Sequence, residues 1–200
     1  VAPHICRPNV GHGPCTCLPA RTADPTFKRI WTSMYLMSDP SPALTHEAQR
    51  LFAEYLGKIE QCVGLLSPEH LWWRPNPRCT SVGNILLHLC GNLSQWLLAG
   101  LGGVPFERHR HEEFAAVEGE DAAALLGRLR EVVTTCRDVA RDLPEEKLGQ
   151  TFIIQGITRT GFGVLLHAVE HMAYHTGQIV YVAKQLVGEQ AEIEFYPHLK

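Results

Sequence analysis

The sequence predicts an all-α protein, a four-helix bundle with long crossover connections, and three observations support this fold class. Four segments repeat apolar residues at the spacing of one face of a helix. Helix-capping residues precede these segments, and glycine or proline follows them. The connections between the segments are long, as in bundles whose chain crosses from one end to the other.

The four predicted helices each have a start or a stop signal, and their approximate ranges are 41–66, 81–99, 121–142 and 161–187. Ser41-Pro42 opens the first, since proline suits the first helical position. Glycine at 188 closes the last. Between the third and fourth helices, the apolar residues of Gln150–Thr160 predict a short extended segment across the bundle.

Residues 1–40 differ from the rest of the chain. Residues 1–39 carry five prolines and three of the seven cysteines, without a sustained period. We interpret residues 1–40 as an irregular, disordered extension and residues 41–200 as the bundle domain. We expect a chain that begins at Met37 to fold with equal stability. The alternative is a small zinc site, although Cys-x-Cys is a cramped spacing and no second pair follows. Its ligands would be His4, Cys6, His12, Cys15 and Cys17.

The composition excludes several classes of function. The chain has 200 residues, 45% of them hydrophobic and 20% charged, with a net charge of −3, so it has no general attraction for nucleic acid or anionic membranes. No apolar run reaches the length of a membrane span, and the N-terminus lacks the pattern of a secretion signal. An odd number of cysteines, most of them isolated in predicted helices, favours a reducing compartment. We therefore predict a cytoplasmic protein that acts on a small-molecule substrate.

Three histidines carry the strongest functional signal. His167, His171 and His175 recur every four residues, so they lie on one face of the predicted fourth helix, one turn apart. Neutral imidazole is the commonest protein ligand for metals, and buried polar rings need partners. A facing helix would supply a further ligand, and His88 is the natural candidate. The alternative is that these histidines only hydrogen-bond across the bundle.

The residues around these histidines resemble those of the DinB-like superfamily, also called the YfiT-like metal-dependent proteins. The segment from His167 to Ile179 and the segment Ser81–Asn92 carry the resemblance, which extends over about residues 44–187. It implies a four-helix bundle that binds one divalent ion. The ligands would be His88, His171 and His175. The ion would be zinc, with nickel, iron or manganese as alternatives.

The resemblance also implies roles for neighbouring residues and a class of reaction. We place four residues around the ligands or in the pocket wall: His167, Tyr174, Gln178 and Asn92. Members with known activity activate a low-molecular-weight thiol for transfer or isomerisation, and others are described as hydrolases. The resemblance thus favours a thiol-dependent S-transferase, or a hydrolase, and pairing into dimers. The alternative is a non-catalytic stress-response protein in which the ion is structural.

A charged segment before the third helix offers candidate substrate contacts. Arg108, Arg110 and Glu113 look like part of a subgroup with no assigned reaction. We favour the alternative, in which this segment is a solvated charged loop.

Overall fold

The computed structural model describes residues 41–188, 191–196 and 198. Our prediction of a disordered extension over residues 1–40, and that of a zinc site within them, lie outside the described residues.

Seven helices and one hairpin follow each other along the described chain: α1 (Ser41–Val63), α2 (Pro68–Trp72), α3 (Val82–Leu93), α4 (Arg110–Ala115), α5 (Ala122–Arg141), α6 (Glu145–Gly149), β1 (Thr151–Ile154), β2 (Ile157–Thr160) and α7 (Gly161–Val187). The helix α3 continues directly into a π-helical segment, Ser94–Leu101.

The four long helices form the bundle that the sequence predicts. Helix α1 packs against α5 and α7, and α3 packs against the same two helices from the opposite side. The helices α1 and α3 are therefore diagonal to each other, although they are consecutive long helices. The connection through α2 makes this crossing, which accounts for its length.

Capping residues fix where the long helices begin and end. The hydroxyl of Ser81 accepts a hydrogen bond from the N–H of Asn84 at 3.1 Å, and the Asn84 side chain accepts one from the N–H of Ser81 at 3.0 Å. Asp121 caps α5 by accepting a hydrogen bond from the N–H of Ala124. Gly188 ends α7 with φ at 58°. Because these capping residues can be recognised in the sequence, the predicted bounds of the helices are close to the observed ones.

The extended segment before α7 is a hairpin rather than a single strand. Thr151 pairs with Thr160 and Ile154 with Ile157 in an antiparallel register. Both turn residues, Gln155 and Gly156, have positive φ, which a two-residue hairpin turn requires.

Helix α3 is the central helix of the molecule. All of its residues except Leu87 are buried, because α2, α4, α5 and α7 all pack on it. A polar side chain on α3 therefore faces another element and needs a partner there.

No helix in the described part of the chain is both long and apolar enough to cross a bilayer.

Candidate metal centre

Three histidines from two helices converge between α3 and α7. His88 of α3 and His171 and His175 of α7 place one ring nitrogen each within 4.8 Å of one another. The Nε2 atoms of His88 and His171 are 2.9 Å apart. His88 is 5% exposed, and the other two are half-buried, so the cluster lies at the edge of the core.

A buried carboxylate orients the His88 ring. Glu113 Oε2 lies 2.8 Å from His88 Nδ1, and Arg108 donates to both carboxylate oxygens of Glu113 at 2.7 Å. An ionised carboxylate only accepts hydrogen bonds, so His88 Nδ1 carries the proton and donates it. The lone pair of His88 is then on Nε2, which faces the other two histidines.

The charge of Glu113 is maintained by its two partners. Burial acts to raise the pKa of this carboxyl, but the hydrogen bonds from Arg108 and His88 outweigh burial, and the pKa lies below its ordinary value.

Our interpretation of the charged segment before α5 as a solvated loop is wrong for Arg108 and Glu113. Their side chains are only 4% and 10% exposed, because they pack against the central helix.

Gln178 orients the His175 ring as Glu113 orients the His88 ring. Its Oε1 accepts a hydrogen bond from His175 Nδ1 at 2.7 Å, which leaves Nε2 of that ring with the lone pair. Tyr174 packs edge-on against the His175 ring at 5.1 Å between centroids, and its side chain is 63% exposed. Two of the three predicted neighbours on α7, Tyr174 and Gln178, therefore contact His175.

Burial keeps the two α7 histidines neutral. It lowers the pKa of His171 to about 3, with a further contribution from the nearby His175, and lowers the pKa of His175 to about 4. Neutral imidazole is the form that binds metal ions.

His167 and Asn92 lie outside the cluster of three. The His167 ring stands 5.3 Å from the His171 ring and 4.1 Å from the indole of Trp96, measured between centroids. Asn92 is 4% exposed and follows His88 by one turn of α3. The stripe of three histidines on α7 thus divides into two members that meet His88 and one that meets Trp96.

Arg110 lies at the outer side of the site. Its guanidinium sits 4.8 Å from the centre of the Phe114 ring, and that ring lies 4.7 Å from the His88 ring. A groove of about 510 Å³ passes between Arg110, His111 and Phe114. The structure therefore separates the three residues of the charged segment: Arg108 and Glu113 support His88, and Arg110 borders a groove.

Two aromatic residues complete the site. The sequence left Trp96 open as a pocket residue, although large aromatic residues are more often part of the core. Phe114 was not predicted, because its contact with His88 depends on how α4 folds back over α3.

The donor set fits a transition metal ion. Three imidazole nitrogens from two rigid helices form the kind of set that zinc, nickel or iron accepts, and two of the rings have a Nδ1 partner that fixes the tautomer. The cluster found among the described residues has three members, which is the number typical of sites with an open position.

Solved structures show the same fold. A conserved protein of Enterococcus faecalis is 19% identical, with a TM-score of 0.61 over 72% of this chain and 98% of that one. YfiT of Bacillus subtilis, described as a probable metal-dependent hydrolase with an unusual four-helix bundle topology, is 16% identical, with a TM-score of 0.60 over 71% and 87%. A DinB-like protein of Bacillus subtilis is 17% identical, with a TM-score of 0.57 over 75% and 96%.

Among curated proteins, none matches this chain significantly. Residues 41–195 match a family described as proteins of unknown function, DUF1572, and this match covers all four long helices. The bundle and its solved neighbours, among them a DinB-like protein and YfiT, show the fold that the resemblance implies. The chain belongs to the DUF1572 family.

Proposed function

We propose that this protein is a metal-dependent enzyme in which His88, His171 and His175 hold one divalent ion. The observation that carries the proposal is the convergence of three imidazoles within 4.8 Å, two of them oriented through Nδ1 by Glu113 and Gln178. Imidazole nitrogens that converge in this way form a set of metal ligands.

Three protein ligands leave a coordination position for a small molecule. A divalent ion in such a site lowers the pKa of a bound water or thiol and stabilises the anion that acts as the nucleophile. The chain's own residues prepare the site. Glu113 and Arg108 hold His88 in one tautomer, and burial keeps His171 and His175 neutral.

The reaction we propose is thiol-dependent S-transfer, with hydrolysis as the second candidate. The resemblance to the superfamily supports the first, and the description of the YfiT neighbour as a probable hydrolase supports the second. The thiol would come from a small molecule, since three of the four described cysteines are buried and the fourth is half-buried. Such thiols stay reduced in the cytoplasm, which is the location we propose.

A structural ion is the alternative that one observation favours. His88 lies on the central helix and His171 and His175 on α7, so an ion here would cross-link two helices of the bundle. This role would make the ion necessary for stability rather than for turnover.

Turnover of electrophiles distinguishes the two roles. The full chain, loaded with zinc, is assayed with a panel of alkylating and ester substrates, with and without low-molecular-weight thiols. We expect turnover that is lost on chelation and in His88→Ala. The matched control is His46→Ala, which removes an exposed histidine from α1. Equal turnover by the zinc-loaded protein and His88→Ala would contradict the enzymatic proposal.

A further inference from the structure

A cavity of about 500 Å³ lies between α3 and α5, beside the pair of Arg108 and Glu113. Both charged side chains line it, whereas the three histidines of the candidate metal centre do not. The cavity therefore borders the side chains that support His88 without being part of the centre. Its volume lies in the range of about 300–1,000 Å³ that is typical of small-molecule sites.

Much of the cavity wall is apolar. Leu87 and Cys90 of α3 contribute to it, together with Val132 of α5 and Phe106 of the preceding connection. Burial raises the pKa of Cys90 to about 12, so its thiol is uncharged at neutral pH and acts as a small apolar group. The larger part of a complementary ligand is therefore apolar.

One buried hydroxyl in the wall has no partner. Ser94 lines the cavity and is 7% exposed, but its side chain makes no hydrogen bond to any of the residues that the structure describes. Buried polar groups in native proteins are nearly always paired, and a hydroxyl group can both donate and accept. Ser94 also begins the π-helical segment, and such segments occur frequently at functional sites.

The charged groups of the wall are already paired or solvated. Arg108 donates to both carboxylate oxygens of Glu113, and Arg128 forms an ion pair with Glu120. The other ionisable side chains of the wall are exposed to solvent: Glu107, His109 and Glu112. A charged ligand would lose its hydration here without meeting a buried countercharge that is free to pair with it, which is costly. The cavity therefore favours an uncharged molecule.

We propose that this cavity binds a small neutral molecule with an apolar body and one hydrogen-bonding group, which pairs with the hydroxyl of Ser94. The site is separate from the metal centre and shares the pair of Arg108 and Glu113 with it. The inference goes beyond the proposed function and does not depend on a bound ion.

Four naphthalene derivatives test the class of ligand. 2-Naphthol is neutral at neutral pH and carries a hydroxyl group, and 2-methylnaphthalene has the same shape without it. 2-Naphthoate and 2-naphthylmethylammonium carry opposite charges. Equilibrium dialysis against the full chain measures each affinity, and we expect both neutral probes to bind at least about tenfold more tightly than either charged probe.

Ser94→Ala tests the hydrogen bond. We expect it to weaken the binding of 2-naphthol by about 2- to 10-fold, which corresponds to one net hydrogen bond. The affinity for 2-methylnaphthalene, the internal control, should stay the same. The variant should also unfold at the same temperature as the wild type, because the hydroxyl has no partner within the described part of the protein.

Val132→Trp tests the location by placing an indole in the cavity. We expect both neutral probes to lose most of their affinity for this variant. The matched control is Thr134→Trp, which adds the same side chain at an exposed position of α5 and should bind the probes as the wild type does.

The contrary outcomes are equally specific. If none of the probes binds, water alone fills the cavity and the inference is overturned. Tighter binding of a charged probe, or undiminished binding of 2-naphthol by either Ser94→Ala or Val132→Trp, would also overturn it. If Val132→Trp does not fold, the two neutral probes with Ser94→Ala still decide. All these outcomes are independent of the metal content of the protein, which tests the proposed function separately.

Discussion

At the scale of single residues, the donor properties of the candidate centre depend on side chains that do not face the cluster. The Nε2 lone pair of His88 points at His171 because Glu113 accepts a hydrogen bond from the proton on the other ring nitrogen, Nδ1. Arg108 holds that carboxylate in its charged form through two hydrogen bonds. Loss of such an outer partner of a metal-binding histidine typically lowers metal affinity or activity by about 10- to 100-fold.

Glu113→Gln should weaken metal binding while leaving the fold intact. The amide still accepts a hydrogen bond from His88, but it has no charge to match Arg108, so His88 is held less well. We expect the affinity for zinc to fall by about 10- to 100-fold. Competition with a chromophoric chelator measures this loss.

Glu112→Gln is the matched control for this variant. It makes the same change one residue earlier, on an exposed side chain. Its zinc affinity should equal that of the wild type. A Glu113→Gln protein that also binds zinc as tightly as the wild type would show that Glu113 does not orient His88.

At the scale of elements, Gly91 on α3 makes room for the side chains of Arg108 and Glu113. A Cβ atom at Gly91 would overlap Glu113 Oε1 and lie 3.1 Å from Arg108 Nε. The central helix therefore has a notch one turn below His88 on the side of the charged segment. This notch explains how the side chains of Arg108 and Glu113 are buried against the central helix.

Gly91→Ala should destabilise the protein even though alanine favours helix formation. The added methyl group displaces Glu113 from His88, and overpacking of this kind costs about 1–3 kcal/mol. Urea unfolding measures the change in the free energy of unfolding, and zinc affinity should fall in the same variant.

The control is Gly127→Ala in α5, where no atom lies within 4 Å of the new methyl group. It should gain about 0.5–1 kcal/mol from helix propensity alone. If Gly91→Ala gained stability in the same way, the notch would have no structural role.

The bounds of the helices could be predicted wherever a capping or terminating residue marks them. Asp121 caps α5 and Gly188 terminates α7, and both signals are local in sequence. The π-helical segment after Leu93 could not be predicted, because nothing in the local sequence distinguishes it from a longer α-helix. The hairpin was predicted only as an extended segment, since Gln155-Gly156 is a weak turn signal.

At the scale of the whole molecule, the bundle buries three of the four cysteine thiols in the part of the chain that the structure describes. Burial raises the pKa of Cys62 to about 11 and that of Cys90 to about 12, and it also raises the pKa of Cys136. Thiolates are the reactive form of cysteine, so these three side chains are held in the unreactive form. The nucleophile of a thiol-dependent reaction would therefore not be one of them.

Alkylation of the native protein tests this protection. With iodoacetamide at neutral pH, we expect Cys62, Cys90 and Cys136 to remain unmodified in the folded state and to react fully in denaturant. Peptide mass spectrometry assigns each site, and the half-buried Cys79 is the internal comparison. Rapid labelling of Cys90 in the folded protein would mean that the contact between α3 and α5 opens readily.

The candidate site could be predicted in part, for a physical reason. His167, His171 and His175 are neighbours on one helix, so their spacing alone shows a shared face. His88 could be proposed only because a facing helix had to supply another ligand. The contacts of Glu113 and Phe114 with His88 join the short helix α4 to the central helix α3, and no periodic pattern in the sequence encodes them.

The central claim is that His171 and His175, together with His88, hold a metal ion and that His167 does not. The most direct test is the metal content of the full chain, purified without chelators and measured by elemental analysis, for the wild type and three alanine variants. We expect about one ion per chain in the wild type and in His167→Ala, and almost none in His171→Ala and His175→Ala. Undiminished metal in either of the last two variants, or complete loss in His167→Ala, would contradict this assignment of the ligands.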